Sequence, residues 1–322
     1  MEFPHNNREF QPRVAVLIPC LNEEKTISEV VKSACHELGD FCDLRVYVYD
    51  NNSTDRSIAE AKRAGAISRI VPEKGKGNVV RRMFSDVEAD VYFLVDGDLT
   101  YDLSNAREMV SLVGSEGVDL VTGVRVYKEA ESGQRLGHRL GNRLFTRLVQ
   151  VLFAPKFEDI FSGLRVMSRR FVKSFATSSS GFQIEAEMSI HAIMSMATLR
   201  EVAVDYHPRV DGSVSKLSTL RDGFAILIAI GNLVKDHRPF GLFCFFGLVA
   251  LIGALVLGIP IVMTYLETGL VPRLPTALIT VGLTVTGILM MVIGLVLSAL
   301  SAMRRENQRL WFLSHKSSAF ID

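Results

Sequence analysis

Two aspartates two positions apart, Asp96 and Asp98, follow directly on the apolar run VYFLV. Carboxylates at that spacing can share one hard divalent cation, Mg2+ or Mn2+. Magnesium is usually held by one or two carboxylates, with phosphate oxygens of a substrate completing the shell. A cation there would bridge a diphosphate and neutralise charge on a departing phosphate. A lone D-x-D also occurs in ordinary turns. The apolar strand before this one favours the metal reading. Two more polar clusters follow apolar runs in the same way. Pro19, Leu21, Asn22 and Glu23 follow VAVLI, and Asp50 and Asn51 follow LRVYVY. Asp50 is suited to accept hydrogen bonds from a nucleobase or ribose. Taken singly, Asp50 and Glu23 read equally well as helix caps. Three clusters at three strand ends make capping a poor account of all of them. Gly75-Lys76-Gly77-Asn78 opens a further helix, where glycine lets the backbone approach an anion at a helix N-terminus. Its spacing matches neither the P-loop nor the dinucleotide-binding fingerprint, and a simple turn is the rival reading.

The elements that must position these residues are legible from periodicity. Strands are expected at Val14–Ile18, Leu44–Tyr49, Ser68–Val71, Val91–Val95, Asp119–Thr122 and Leu199–Val204. Helices are expected over Thr26–Leu38, from the NNSTDRS loop through Ala64, and from about Asn78 onward. Alternation at this spacing predicts an α/β fold, a mostly parallel sheet with helices on both faces. Ligands of such sheets bind outside the carboxyl ends of the strands, where the polar clusters lie.

Beyond about residue 236 the composition changes. Pro239–Leu266 and Leu274–Met303 carry no charge except Glu267 and Arg273 in the loop between them. A helix needs ~20 apolar residues to cross a bilayer, so both runs are long enough. Lys235 and Arg238 precede the first, and Arg304, Arg305, Arg309 and Lys316 follow the second. This asymmetry predicts a multi-pass protein of the inner (plasma) membrane with both ends and the α/β domain cytoplasmic. Asn142–Phe153 and Leu217–Val234 read either as amphipathic helices packed on the sheet or as interfacial segments with snorkelling basic residues. The first residues, MEFPHNNREFQPR, contain no apolar stretch of the kind a cleaved export signal has.

The expected organisation is a tail (1–12), a catalytic α/β domain (13–216), amphipathic juxtamembrane helices (217–238), two transmembrane helices (239–303) and a cytoplasmic tail (304–322). A net charge of +1 over 322 residues argues against a nucleic-acid partner. Cys20, Cys35, Cys42 and Cys244 form no C-x-x-C pair, so neither a disulfide framework nor a zinc site is implied.

VLIPCLNEEKTI, YDNNSTDRS, GKGNVVRRMF and DGDLTYD, in this order, resemble glycosyltransferase family 2, inverting enzymes with the Rossmann-like GT-A fold. The resemblance covers about residues 13–220. FSGLRVMSRR and SVSKLSTLRDG narrow it to the polyprenyl-phosphate branch, which includes dolichol-phosphate mannose synthases and bactoprenol-phosphate glucosyltransferases. The resemblance implies a hexosyltransferase with a nucleoside-diphosphate sugar as donor, UDP favoured, and a polyprenyl phosphate as acceptor. It implies that Pro19, Asn22, Glu23, Asp50, Lys76 and Gly77 line the nucleotide pocket. Asp96 and Asp98 would serve the nucleotide-sugar and the metal. Arg125 would stand near the transferring phosphate and Asp159 on the acceptor side. Ser162 and Arg165 would contact the acceptor phosphate, and Lys216 would serve the acceptor phosphate or the donor diphosphate. Homo-oligomers built through membrane helices are common among such proteins. Thr100 stands where dolichol-phosphate mannose synthases carry glutamine, and Asn51 where many relatives carry a second acid.

Two other readings differ in observable ways. A processive polysaccharide synthase would carry Q-x-x-R-W after the acceptor region, whereas Trp311 lies in NQRLWFL beyond the second apolar run. A non-catalytic membrane scaffold with a degenerate nucleotide fold would bind diphosphate without releasing sugar.

Overall fold

A computed structural model describes residues 12–127, 158–176, 184–209 and 239–315. The chain divides into two compact units, Met1–Asp222 with Gln308–Asp322, and Gly223–Asn307.

The first unit is built on a seven-stranded sheet. Its strands are β1 (Arg13–Cys20), β2 (Asp43–Asp50), β3 (Ile67–Ile70), β4 (Val91–Leu94), β5 (Leu120–Tyr127), β6 (Arg165–Ser168) and β7 (Leu199–Tyr206). Their order across the sheet is β3-β2-β1-β4-β6-β5-β7. β6 runs antiparallel to β4 and β5, and the other pairings are parallel. Chain order reverses at β1, which has β2 on one side and β4 on the other. A crevice at the carboxyl ends follows from that reversal.

The apolar runs become strands because both faces of the sheet are covered. Val14, Val16, Leu17 and Ile18 are at most 1% exposed. Each such side chain contributes about 1.5–3 kcal/mol by leaving water. The helices are α1 (Ile27–Leu38), α2 (Ser57–Arg63), α3 (Lys76–Asp86), α4 (Ala106–Gly114), α5 (Arg169–Ser174) and α6 (Ile184–Met194). Ile27, Val30, Val31, Ala34 and Leu38 form the buried stripe of α1, at the spacing the sequence carries.

Three expectations need correction. The helix anticipated from Asn78 begins two residues earlier, at Lys76, because Gly75 at φ 119° supplies its entry turn. The strand anticipated over Asp119–Thr122 runs on to Tyr127, which puts Arg125 on β5. FSGLRVMSRR, which periodicity left unassigned, forms β6 and the start of α5.

Asp119 ties these late elements together. Its fully buried carboxylate accepts from Arg170 at 2.5 and 2.8 Å, from Ser168 Oγ at 3.0 Å and from the Thr198 amide at 3.0 Å. Removing one partner of such a pair costs about 3–5 kcal/mol, since the other charge stays buried.

The second unit holds most of two long helices, α7 (Pro239–Thr268) and α8 (Leu274–Ser314). Both are long and apolar enough to cross a membrane, and their most apolar stretches are largely exposed. α8 continues through Arg304, Arg305 and Arg309, which the sequence had placed in a tail. The two helices touch through glycines. A Cβ on Gly247 would lie 2.8 Å from the Gly287 carbonyl oxygen, and one on Gly287 2.9 Å from that of Gly247. Small residues permit this backbone approach, the usual basis of helix pairing where lipid removes the hydrophobic drive. Asn142–Phe153 and Leu217–Val234 lie outside the described residues.

His191 on α6 gives the first unit a pH response. It is buried between the rings of Phe171 and Phe175, and its Nε2 lies 3.0 Å from Ser174 Oγ. Burial lowers its pKa from 6.5 to about 4. Between those values the unfolded chain binds a proton that the folded chain does not. The contribution to stability is therefore full above the unfolded value and falls as pH drops through that window. Thermal unfolding midpoints measured from about pH 7 to about pH 4 should fall in the wild type and fall less in His191→Gln.

Candidate functional site

The crevice at the β1, β2 and β4 ends collects the first polar clusters. β1 ends in Pro19 and Cys20, and β2 ends in Asp50. Asp96, Gly97 and Asp98 form the turn after β4. Thr26 Oγ1 donates to the Gly97 carbonyl at 2.7 Å and so pins the start of α1 to that turn. Gly97 leaves little room for a side chain, since a Cβ would sit 3.3 Å from Ile27 Cδ1. Asn22, Asn52 and Leu99, all in crevice loops, adopt positive φ of 52°, 63° and 58°. Asparagine tolerates that region, but leucine there stores strain, a cost that tends to concentrate at functional sites.

Asp50 is 1% exposed. Its Oδ2 accepts from the Ser53 amide at 2.9 Å, while its Oδ1 has no hydrogen-bond partner among the described residues. A buried carboxylate oxygen without a donor is costly and points to a group that arrives with the ligand. Asn51 braces the loop that leads into α3. Its amide nitrogen donates to the Val71 and Glu73 carbonyls at 3.2 and 2.7 Å, and its Oδ1 accepts from the Gly75 amide at 2.7 Å. A carboxylate can accept but cannot donate, so only the amide braces both sides of that loop. Asn22 and Glu23 are stitched to the β2–α2 loop. Asn22 Oδ1 accepts from the Thr54 amide at 2.7 Å, and the Glu23 amide donates to Ser57 Oγ at 2.7 Å. Pro19 is half-buried and Gly77 is buried in the first turn of α3.

Lys76 reaches Asp96 Oδ1 at 2.6 Å and Glu185 Oε1 at 2.5 Å. Burial alone would lower its pKa, but the two carboxylates outweigh burial and hold it above the ordinary lysine value. Asp98 is 4% exposed and likewise engaged. Its Oδ1 accepts from Thr100 Oγ1 at 2.6 Å, and its Oδ2 lies 2.7 Å from Arg209. Among the described residues, no three His, Cys, Asp or Glu side chains gather as a complete metal set. Asp96 and Asp98 fit the other arrangement, in which two carboxylates hold a cation whose remaining ligands are substrate phosphates and water.

Arg125 and Asp159 form a two-point pair at 2.6 and 2.7 Å. The guanidinium also lies 5.6 Å from the centroid of the Tyr206 ring. Two of the positions expected to hold the acceptor phosphate are enclosed within the fold. Ser162 and Arg165 are both 0% exposed. Arg165 donates to the Ser162 and Ile160 carbonyls at 3.0 and 2.7 Å and to Ser189 Oγ at 2.9 Å. Burial lowers its pKa to about 10, with the Glu185 and Asp159 charges opposing. Ser162 Oγ faces Tyr101 OH at 3.4 Å. These bonds brace the loop into β6, while Arg165 Nη1 is buried with no hydrogen-bond partner among the described residues. Lys216 lies outside the described residues.

Two contributors have no place among the sequence motifs, and a third, Gly163, lies in FSGLRVMSRR without being singled out there. Glu185 is hidden in an apolar helix. Arg209 stands just past the end of β7, where the strand-end rule that marked Asp50 would have found it. Gly163 is required by close approach, since a Cβ there would overlap the Asp96 carboxylate and lie 2.8 Å from its Cγ.

The fold is that of a known group of proteins. The family model for glycosyl transferase family 2 matches residues 15–175. Glycosyltransferase AglJ of Haloferax volcanii is 30% identical over 227 residues, covering 70% of this chain and 73% of AglJ. This chain belongs to glycosyl transferase family 2. Protein RfbJ of Shigella flexneri is 48% identical over 124 residues, 38% of this chain and 94% of RfbJ. Glucosyl-3-phosphoglycerate synthase of Mycobacterium tuberculosis, solved with Mn2+ and UDP-glucose, superposes with a TM-score of 0.54 at 21% identity. The match covers 68% of this chain and 78% of that one. This likeness establishes the GT-A fold. Family membership makes the protein a glycosyltransferase with a nucleotide-sugar donor.

Gly163→Ala should displace the Asp96 carboxylate while leaving the sheet intact. Glycosyl transfer should fall about a hundredfold, the scale of a 1 Å misplacement at a reacting centre. Circular dichroism should report an unchanged fold.

Proposed function

We propose that the protein transfers a sugar, with inversion, from a nucleoside diphosphate to a polyprenyl phosphate at the cytoplasmic face of a membrane. UDP is the favoured nucleotide. The observation that carries this reading is the presence, in one chain, of the family's donor crevice and of two helices long and apolar enough to cross a membrane. A chain with that anchor is suited to an acceptor that is itself a lipid. FSGLRVMSRR and SVSKLSTLRDG support the same branch.

In this reading Asp50 receives the nucleoside through its open Oδ1. Pro19, Asn22, Glu23, Lys76 and Gly77 form the pocket around it. Asp96 and Asp98 hold Mg2+ or Mn2+, which when bound neutralises charge on the leaving diphosphate. Arg209 yields its place on Asp98 as the donor enters. Arg125, oriented by its two bonds to Asp159, presents a cation toward the phosphates. An acceptor phosphate monoester has its second pKa at about 6, so its oxygen is largely anionic near neutral pH. A strong general base is then unnecessary, and Asp159 orients Arg125 without taking a proton. The chemical demand is electrostatic: bring two anions together and stabilise the charge that develops on one of them.

Membranes containing the protein, supplied with a panel of nucleotide-sugars and short polyprenyl phosphates, should yield a lipid-phosphate-linked sugar by mass spectrometry. Transfer only to water-soluble acceptors would refute the lipid assignment. Asp98→Ala should lose transfer while the protein remains folded and membrane-bound. Full turnover in that variant would remove the metal role.

A further inference from the structure

Glu185 sits at the start of α6 and is 3% exposed. Its Oε1 lies 2.5 Å from Lys76 Nζ, whose other near carboxylate is Asp96 at 2.6 Å. The Lys76 side chain is itself only 8% exposed. Glu185 Oε2 has no hydrogen-bond partner among the described residues, and neither does Arg165 Nη1. The two belong to one charge cluster. Glu185 is the foremost charge favouring the ionised form of Arg165. Ser189, one turn further along α6, accepts from Arg165 and donates to the Glu185 carbonyl at 3.1 Å. Glu185 is therefore held on a helix between two buried cations.

We propose that Glu185 is a positioning residue for the donor site, acting through Lys76 on Asp96. The inference rests on the reading of Asp96 and Asp98 as the site of a divalent cation and the donor diphosphate. A lysine paired with Asp96 alone would cancel its charge. Sharing the ammonium between two carboxylates leaves the three-group unit with net charge −1. Asp96 then keeps attraction for a divalent cation while Lys76 stays charged and fixed at the mouth of α3. Glu185 thus sets how much negative charge the D-x-D turn offers, without touching the substrate.

The test uses the full-length protein in detergent, with Mn2+ binding in the presence of UDP read from the paramagnetic resonance of free Mn2+. Glu185→Gln keeps the shape and removes the charge. It should weaken Mn2+ binding about tenfold, the scale of one unit charge removed about 6 Å from a divalent cation at a water-like dielectric. Glu185→Asp restores the charge and should bind Mn2+ within about threefold of wild type. Unchanged Mn2+ affinity in Glu185→Gln, with only a lowered melting temperature, would mean a purely structural role and overturn the proposal. Should Glu185→Gln not fold, Glu185→Asp decides alone, and tenfold weaker binding there would also overturn it. A wild-type protein that binds no Mn2+ with UDP defeats the donor-site reading first, and this inference with it.

Discussion

Bringing carboxylates to the carboxyl ends of a parallel sheet creates a problem of like charge. Asp96, Asp98, Asp159 and Glu185 are all nearly or partly buried, and the ligands this family handles are anions. Left alone, such groups would repel one another and the incoming anion. The Lys76 ammonium, shared at 2.6 and 2.5 Å by Asp96 and Glu185, is the interaction that lets the crevice exist. Arg209 does the same for Asp98 and Arg125 for Asp159. Each pair combines a charge that a ligand can use with a counter-charge that keeps the empty site stable. Breaking any pair by removing one partner would strand the other in a low-dielectric setting.

How much of this was legible depends on where the information lies. β1, β2 and β4 could be read from sequence because strands buried on both faces are near-continuous apolar runs. Their ends could be read because polar residues then stop the run abruptly. β6 could not, since RVMS is four residues long and begins with an arginine. Arg165 is fully buried because its fork closes on carbonyls of its own loop, a fact of tertiary geometry that no spacing encodes. The family pattern placed Arg165 and Ser162 at the acceptor, and it does not carry their burial at the start of β6. Glu185 was invisible for a related reason. Its partner is over a hundred positions away in the chain, and α6 has no polar face that would mark it.

The helical unit follows different rules. Its two helices lack charged side chains along most of their length and meet through Gly247 and Gly287. Glycine costs helix propensity in water, by about 1 kcal/mol relative to alanine. Here that cost is offset by dispersion contacts available only when the backbones approach closely. The same residue type thus serves the α/β unit by admitting a carboxylate at Gly163 and the helical unit by admitting a neighbouring carbonyl.

Asn51 constrains how this crevice can change over generations. Its amide donates to one side of the loop and accepts from the other, work that a carboxylate cannot duplicate. A change from Asn51 to a carboxylate is therefore not neutral in a single step. Replacing Asn51 with aspartate would keep an acceptor for the Gly75 amide but remove the donor to the Glu73 carbonyl and set a carboxylate against it. The surrounding loop must change first or together with it.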